Sequence, residues 1–312
     1  MTLVTVSSGS APDKGSLARR LESGGILCFL ERPITLDPGA LDVLLRQNPG
    51  HSRFHKNIAY RPTDGRLGGL SEIPRGDREP IRRALAEFSQ RAVRFTAELF
   101  PGYARSWRVG YTSFRPFEEE GRPLRTRSRN DLMHVDAFPS RPTNGDRILR
   151  LFTNIHTSKP RVWTSGGNFE QLAERYAVAS GILGAVAERQ GEDALARLLR
   201  AIGVRKGKRS AYDQFMLLFH DFLKENEEFQ KTAPREQFSF APGATWIVFT
   251  DGVSHAVLSG RHALEQTFLV ARESLELPEE APIAVLERLV GGRRLSGAGS
   301  GEPRNSPTAA YT

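Results

Sequence analysis

Residues 238–271 read FSFAPGATWIVFTDGVSHAVLSGRHALEQTFLVA, and this stretch decides the fold because short apolar segments alternate in it with tight turns. Pro242-Gly243, Asp251-Gly252 and Gly260 are turn signals. The segments between them have the β-branched and aromatic content of strands and lie at residues 246–249, 254–258 and 264–270. Short strands joined by tight turns favour an antiparallel sandwich or jelly roll over a doubly wound sheet.

Upstream of this stretch, the pattern adds N-terminal helices and an earlier block of strands. Apolar residues recur every three or four positions over residues 79–99, which predicts an amphipathic helix, and residues 17–21 predict a shorter one. Earlier strands are predicted at residues 26–30, 107–111 and 147–155. Pro160, Gly166 and Gly167 indicate a loop around Val162-Trp163.

A helical insertion at about residues 168–230 separates the two strand blocks. It holds three groups of apolar residues at helical spacing, namely Phe169/Leu172/Tyr176, Leu195/Leu198/Leu199/Ile202 and Phe215/Leu218/Phe222. We expect one domain over residues 15–290, a loose N-terminus at residues 1–14 and a disordered tail at residues 291–312 that is rich in Gly, Ser, Pro and Ala. We find no glycine-rich phosphate loop.

The bulk composition is that of an ordinary soluble protein. The chain has 312 residues, 39% of them hydrophobic and 26% charged. Cys28 is the single cysteine, so no intramolecular disulfide can form and a reducing cytoplasm is the simplest compartment. There is no pattern of a secretion signal and no apolar run long enough for a membrane helix.

The net charge of +8 indicates an acidic partner, which can be a nucleic acid, an anionic membrane surface or an acidic substrate. Two clusters hold much of this charge: Arg122, Arg125, Arg127 and Arg129; and Arg205, Lys206, Lys208 and Arg209. The alternative is a solvated basic surface. The apolar stripe of Phe215, Phe219 and Phe222 beside the second cluster can touch lipid, although such stripes are more often core.

His134 and Asp136 form a candidate metal pair. On an extended backbone residues i and i+2 face the same side, so both side chains can reach one ion. A third ligand has to come from a distant part of the sequence, and His255 follows the Asp251-Gly252 turn. Two histidines and one carboxylate are the ligand set of non-haem Fe(II) oxygenases. His156 and His262 are alternatives to His255, and a His-x-Asp pair by itself also arises by chance.

An oxygenase of this kind that uses 2-oxoglutarate needs a cation, preferably an arginine, for the far carboxylate of that cosubstrate. Neutral hydrogen-bond donors can assist. The candidate cosubstrate-binding residues are Arg261, Gln266, Thr267, Asn154 and Arg150, with Arg272 and Arg127 as further options. The candidate substrate-binding residues are Arg127, Arg129 and Arg141.

Three stretches of the chain resemble the bacterial 3-deoxy-D-manno-oct-2-ulosonic acid (Kdo) 3-hydroxylases. They are RSRNDLMHVDAFPSRPT at residues 127–143, RILRLFTNI at residues 147–155 and FTDGVSHAVLSGRHALEQTF at residues 249–268. The resemblance covers roughly residues 15–290. It implies a mainly β protein with α-helices, in which a double-stranded β-helix (jelly-roll) core carries N-terminal helices and a helical insertion.

The resemblance also implies an activity and its ligands. The expected enzyme is an Fe(II)- and 2-oxoglutarate-dependent dioxygenase that uses O₂ to hydroxylate C3 of Kdo in Kdo-lipid A. The metal ligands carry over as His134, Asp136 and His255. Where related oxygenases carry the cosubstrate arginine, this chain has Gln266 and Thr267. The resemblance therefore does not identify which arginine binds the far carboxylate of 2-oxoglutarate. The basic clusters fit an anionic glycolipid and contact with the inner face of the inner membrane.

Two other functions compete with this one. A small-molecule hydroxylase of the phytanoyl-CoA type would keep the chemistry and change the substrate. A nucleic-acid-binding protein would explain the positive charge, but the sequence contains no recognition-helix or RNA-binding signature. We therefore expect no nucleic-acid partner.

Overall fold

The computed structural model describes residues 2–6, 13–47, 57–71, 73–189 and 209–297. The strands are β1 Leu3–Val6, β2 Ile26–Phe29, β3 Ile58–Tyr60, β4 Leu67–Gly68, β5 Arg108–Arg115, β6 Arg147–Asn154, β7 Arg161–Asn168, β8 Glu236–Phe240, β9 Thr245–Phe249, β10 Val253–Ser259 and β11 Ala263–Val270. The helices are α1 Lys14–Glu22, α2 Pro38–Leu45, α3 Arg75–Leu99, α4 Pro101–Ala104, α5 Phe169–Leu172, α6 Ile182–Arg189, α7 Ala211–Glu225, α8 Glu227–Thr232 and α9 Pro282–Leu289.

The strands form two sheets that face each other. The large sheet has the order β1-β2-β9-β6-β11-β5-β3-β4 and the small sheet the order β10-β7-β8. Aromatic side chains fill the space between them: Trp163 of β7 lies 4.9 Å from Phe152 of β6 and 5.6 Å from Trp246 of β9, ring centroid to ring centroid. This is a jelly roll with helices around it, which confirms the predicted fold class.

Helix α3 covers the outer face of the large sheet. Its apolar residues recur at three- and four-residue spacing, and Ile81, Leu85, Phe88 and Ala92 are buried. The helix begins at Arg75, four residues before the predicted start. The prediction missed this first turn because the residues before Pro80 are polar and add nothing to the apolar pattern. The outer face is therefore a second core, distinct from the layer between the sheets.

Two local predictions are wrong. Residues 3–6 are not loose but form β1, which pairs with β2 in parallel. Val162 and Trp163 lie in β7 and not in a loop. Gly166 misled the prediction because it stands where backbone passes close by: a Cβ atom there would lie 2.7 Å from the Pro234 carbonyl oxygen. A glycine inside a strand often marks such an approach instead of a turn.

The helical insertion is confirmed where the structure describes it. Its first pattern forms α5 and the helical turn after it, and its last pattern forms α7; α6 and α8 are further helices, and Ser210 and Asn226 cap α7 and α8. Phe215 and Phe219 of α7 are fully buried, so the phenylalanine stripe is mainly core. The pattern at Leu195–Ile202, the basic residues 205–208 and the tail beyond residue 297 lie outside the described residues. Within those residues, none of the helices combines the length and apolar content that crossing a bilayer requires.

Candidate metal centre

Backbone hydrogen bonds fix the positions of His134 and Asp136 against the hairpin of β9 and β10. The His134 and His255 main chains exchange two hydrogen bonds, of 3.1 and 2.9 Å, as a short antiparallel bridge. Two residues later the Asp136 amide donates to the Thr250 carbonyl at 2.9 Å. The early segment thus extends the small sheet, and its i, i+2 residues face the same side, as predicted.

The three side chains meet at one point. Their potential ligand atoms all lie within 4.8 Å of one another. Asp136 places one carboxylate oxygen 3.8 Å from Nε2 of His134 and the other 3.9 Å from Nε2 of His255. The two imidazole centroids are 4.8 Å apart.

The hydrogen bonds of the two imidazoles leave Nε2 free to bind a cation. Nδ1 of His134 lies 2.7 Å from the Leu132 carbonyl oxygen, and Nδ1 of His255 lies 3.1 Å from that of Val253. A carbonyl oxygen can only accept, so each Nδ1 carries the proton and each Nε2 carries a lone pair. Ligating histidines in metalloproteins are oriented by contacts of this kind.

The electrostatics favour the protonation states that bind metals. Burial lowers the pKa of His134 and His255, which keeps both rings neutral. Burial raises the pKa of Asp136, but the positive charge of Arg150 outweighs it, and the net pKa lies well below its ordinary value. One carboxylate oxygen of Asp136 is buried without a hydrogen-bond partner. A cation would satisfy that oxygen, so the residues fit a ferrous ion.

The two alternative histidines lie elsewhere. Nε2 of His262 bonds the Gln47 carbonyl at 2.9 Å, and the ring stacks on Phe114. Nδ1 of His156 accepts backbone N–H groups of the loop that follows it. Neither is part of the cluster with Asp136. His255 is therefore the histidine that completes the site.

Arg150 and Thr267 are the predicted cosubstrate residues that lie beside the metal centre. They are cross-strand partners on β6 and β11. Nε of Arg150 lies 3.3 Å from an Asp136 oxygen and 3.4 Å from a Glu265 oxygen. The Thr267 hydroxyl donates to the same Glu265 oxygen at 2.8 Å. A guanidinium and a hydroxyl therefore line the inner face of the large sheet next to the ligands.

Three other predicted cosubstrate residues do not reach this place. Gln266 faces the opposite layer, because neighbouring residues of a strand alternate sides, and its side-chain oxygen accepts from Ser89 of α3 at 2.9 Å. Asn154 holds the loop after β6 by donating to the carbonyls of Lys159 and Phe240, each at 3.0 Å. Arg261 follows the end of β10 and contacts His262.

The three predicted substrate-binding arginines differ in whether a carboxylate of the protein already binds them. Arg127 is exposed and binds Glu225 at 2.7 Å and Asp221 at 3.2 Å. Arg129 binds Asp131 at 2.9 Å. Arg141 stacks instead on aromatic rings, 4.0 Å from the centroid of Tyr111 and 4.5 Å from that of Phe138.

Sequence reasoning missed two residues around the centre, Glu265 and His220. Glu265 is buried between Arg150 and Arg115, and it accepts from Nε of Arg115 at 3.2 Å. His220 of α7 lies 4.9 Å from the ring of His134, centroid to centroid. Glu265 precedes Thr267 by two positions, so strand alternation could have found it; the contact of His220 depends on how the helical insertion docks.

Comparison with known proteins places this site in a family. The profile of the family described as 3-deoxy-D-manno-oct-2-ulosonic acid (Kdo) hydroxylase matches residues 6–293. None of the curated proteins matches the chain. Several solved structures match over nearly their whole length.

Three of these structures are of the Kdo hydroxylase KdoO, described as a non-haem Fe(II) alphaketoglutarate-dependent dioxygenase. They are its complexes with cobalt(II), with alphaketoglutarate and Fe(III), and with succinate and Fe(III), at TM-scores of 0.79, 0.79 and 0.78. Each is 34% identical to this chain, and the match covers 96% of this chain and 99% of the other. With the family profile spanning the jelly roll and its metal centre, the chain belongs to the Kdo hydroxylase family.

Proposed function

We propose that this protein is an Fe(II)- and 2-oxoglutarate-dependent dioxygenase that hydroxylates C3 of Kdo in Kdo-lipid A. The observation that carries the proposal is the buried His134–Asp136–His255 cluster, set in a jelly roll that matches the Kdo hydroxylase KdoO. The chemistry of the sugar agrees with the position. A 3-deoxy-2-ulosonic acid has its carboxylate at C1 and a methylene at C3, and that methylene has hydrogens to exchange for a hydroxyl.

The three ligands have separate tasks. His134 and His255 offer neutral Nε2 atoms, and their Nδ1–H groups are held by backbone carbonyls that fix the ring planes. Asp136 supplies negative charge that offsets the metal. When bound, the ferrous ion and 2-oxoglutarate supply the oxidising chemistry, and the protein contributes the geometry of three buried ligands.

Arg150 and Thr267 are the residues best placed to hold the far carboxylate of 2-oxoglutarate. The Arg150 guanidinium lies 3.3 Å from the Asp136 carboxylate, and its positive charge could pair with the far carboxylate of a bound cosubstrate. Thr267 lies opposite Arg150 on the neighbouring strand, and its hydroxyl, which here donates to Glu265, would turn from that oxygen to donate to the cosubstrate carboxylate. Glu265, paired with Arg115 and bonded by Thr267, positions both groups.

The decisive experiment is turnover of defined substrates by the purified protein. With Fe(II), 2-oxoglutarate and O₂, Kdo-lipid A should gain one oxygen atom with equimolar succinate release, and fragmentation should place the new hydroxyl at C3. Asp136→Ala should abolish both while the circular dichroism spectrum is kept. Oxidation of acyl-CoA instead of the sugar would support the phytanoyl-CoA-type alternative, and full activity of Asp136→Ala would refute the metal assignment.

A further inference from the structure

Two guanidinium groups converge on one tyrosine near the metal centre. Tyr111 of β5 has the Arg141 carbon Cζ 4.0 Å from its ring centroid and that of Arg61 at 5.3 Å. Arg61 comes from the β3–β4 hairpin, and Arg141 from the loop after the metal motif. Three separate segments therefore build this group, which we call the Tyr111 cluster (Arg61, Tyr111 and Arg141).

The hydrogen bonds of the Tyr111 cluster are incomplete. Nε of Arg61 donates to the Tyr111 hydroxyl at 3.0 Å, and Nη1 of Arg61 binds Asp64 at 3.0 Å. The hydroxyl thus acts as an acceptor, and no described residue takes its own proton. Among the described residues, Arg141 contacts two aromatic rings and has no carboxylate within ion-pair distance. The cluster therefore presents one hydroxyl donor and one guanidinium that are both half-buried and uncommitted.

Arg141 is partly buried without a carboxylate partner among the described residues. Burial lowers the pKa of Arg141; Tyr111 and the more distant Glu265 act to raise it, the positive charges of Arg150 and Arg61 act to lower it, and the net pKa is lowered. Cation–π contacts with Tyr111 and Phe138 offset part of the cost of burying this charge. A bound anion would offset the remainder, because a planar guanidinium forms two parallel hydrogen bonds with a carboxylate.

The Tyr111 cluster lies next to the metal centre. The ring of Phe138, two residues after Asp136, is contacted by Arg141 at 4.5 Å and by Arg150 at 5.4 Å from its centroid. Arg150 in turn lies 3.3 Å from the Asp136 carboxylate. This proximity matters because C3 of the sugar is only two bonds from the carboxylate carbon. When C3 faces the metal, the carboxylate must lie close by, whereas the phosphates of the glycolipid are on other sugars.

We propose that Arg141 and the Tyr111 hydroxyl bind the carboxylate of the sugar-acid substrate and that Arg61 positions Tyr111. The site selects an anionic sugar and sets which carbon faces the metal. The inference rests on the proposed function and assigns its substrate-recognition residues.

The test pairs Arg141→Gln with an altered substrate. On Kdo-lipid A, we expect the variant to raise KM about 10- to 100-fold, the range of one lost charge-assisted hydrogen-bonded contact. An analogue whose C1 carboxylate is reduced to an alcohol should be poor for the wild type and equally poor for the variant. Tyr111→Phe should raise KM less, and Arg141→Lys should recover part of the loss.

Matched controls keep the outcomes distinct. Arg175 also stacks on a tyrosine, Tyr176, at 5.1 Å but lies in the helical insertion, and Arg175→Gln should leave KM unchanged. The absence of any turnover by the wild type would refute the proposed function itself. Equal losses for Arg141→Gln on the acid and on the alcohol would overturn the carboxylate site, as would an unchanged KM. If dephosphorylated Kdo-lipid A abolished the difference between variant and wild type, the anion would be a phosphate and the proposal would fail.

Discussion

Strand β6 carries two arginines, three residues apart, that serve opposite layers of the molecule. Arg147 points to the helix side, where its guanidinium lies 4.3 Å from the Phe249 ring centroid and its Nε bonds Asp251 at 3.0 and 3.2 Å. Arg150 points between the sheets and is shared by Asp136 and Glu265. An odd separation along a strand gives opposite faces.

The two arginines differ in how completely they are enclosed. The side chains of Arg147 and Asp251 are each 1% exposed, and that pair fastens the turn between β9 and β10 to β6. The Arg150 side chain is 12% exposed and faces the metal centre. The first pair has no room for a ligand, whereas the second guanidinium divides its charge between two carboxylates and can turn to a third. Residue type alone therefore does not separate a structural arginine from a binding one.

The largest expected effect is on stability. Arg147→Met leaves the Asp251 carboxylate buried without its cation, and breaking a buried ion pair in this way costs about 3–5 kcal/mol. Urea denaturation followed by circular dichroism measures the loss. The double variant Arg147→Met/Asp251→Leu should recover much of it, since it removes both charges. A single variant as stable as the wild type would show that the pair contributes nothing to the fold.

The second effect is on cosubstrate binding. Arg150→Met should weaken 2-oxoglutarate binding about 10- to 100-fold, because one charge-assisted contact is lost. Its effect on unfolding should be smaller than that of Arg147→Met, since Glu265 keeps its contacts with Arg115 and Thr267. Anaerobic titration of the Fe(II) protein with 2-oxoglutarate measures the affinity. If Arg150→Met binds 2-oxoglutarate as tightly as the wild type and loses unfolding free energy instead, Arg150 has a structural role like that of Arg147 and does not bind the cosubstrate.

The third effect separates two neighbours on β11. Thr267→Val removes one neutral hydroxyl facing the metal centre and should weaken 2-oxoglutarate binding about 3- to 10-fold. Gln266→Met instead removes the acceptor for Ser89 and Thr112 on the outer face and should lower stability by about 1–3 kcal/mol. The 2-oxoglutarate titration and the urea denaturation described above measure the affinity and the stability of both variants. If Gln266→Met weakened 2-oxoglutarate binding and Thr267→Val lowered stability instead, β11 would present the opposite face to the metal.

These pairs also show what sequence could and could not predict. The metal ligands were accessible because i, i+2 spacing and a turn before His255 are local signals. The sequence could not predict which of the candidate arginines Arg150, Arg261 and Arg127 lies beside the metal centre, or that Thr267 rather than Gln266 faces it. Both β6 and β11 are covered on both faces, so their sequences lack the alternation of apolar and polar residues that reveals which side is inward. Only the pairing with other strands settles which side chains face the centre.

The smallest effect is on the pH dependence of stability. As the pH falls, the contributions of the two arginine-bound carboxylates, Asp251 and Glu265, to the free energy of unfolding should change in opposite directions. Burial raises the pKa of Asp251 above its ordinary 3.8, so its contribution to stability is full below that value and is lost as the pH rises through the folded pKa. Burial also acts to raise the pKa of Glu265, but Arg150 and Arg115 outweigh it and hold the pKa below the ordinary 4.5. Its contribution is present above 4.5 and is lost as the pH falls through the folded pKa. Unfolding free energies of metal-free wild type, Asp251→Asn and Glu265→Gln across the acid range measure both trends. As the pH falls, Asp251→Asn should become less stable relative to the wild type, because it lacks the gain that Asp251 provides. Glu265→Gln should become more stable relative to the wild type, because it lacks the loss that Glu265 causes. If the stability of both variants relative to the wild type changed with pH in the same way, the two carboxylates would not differ in their pKa shifts.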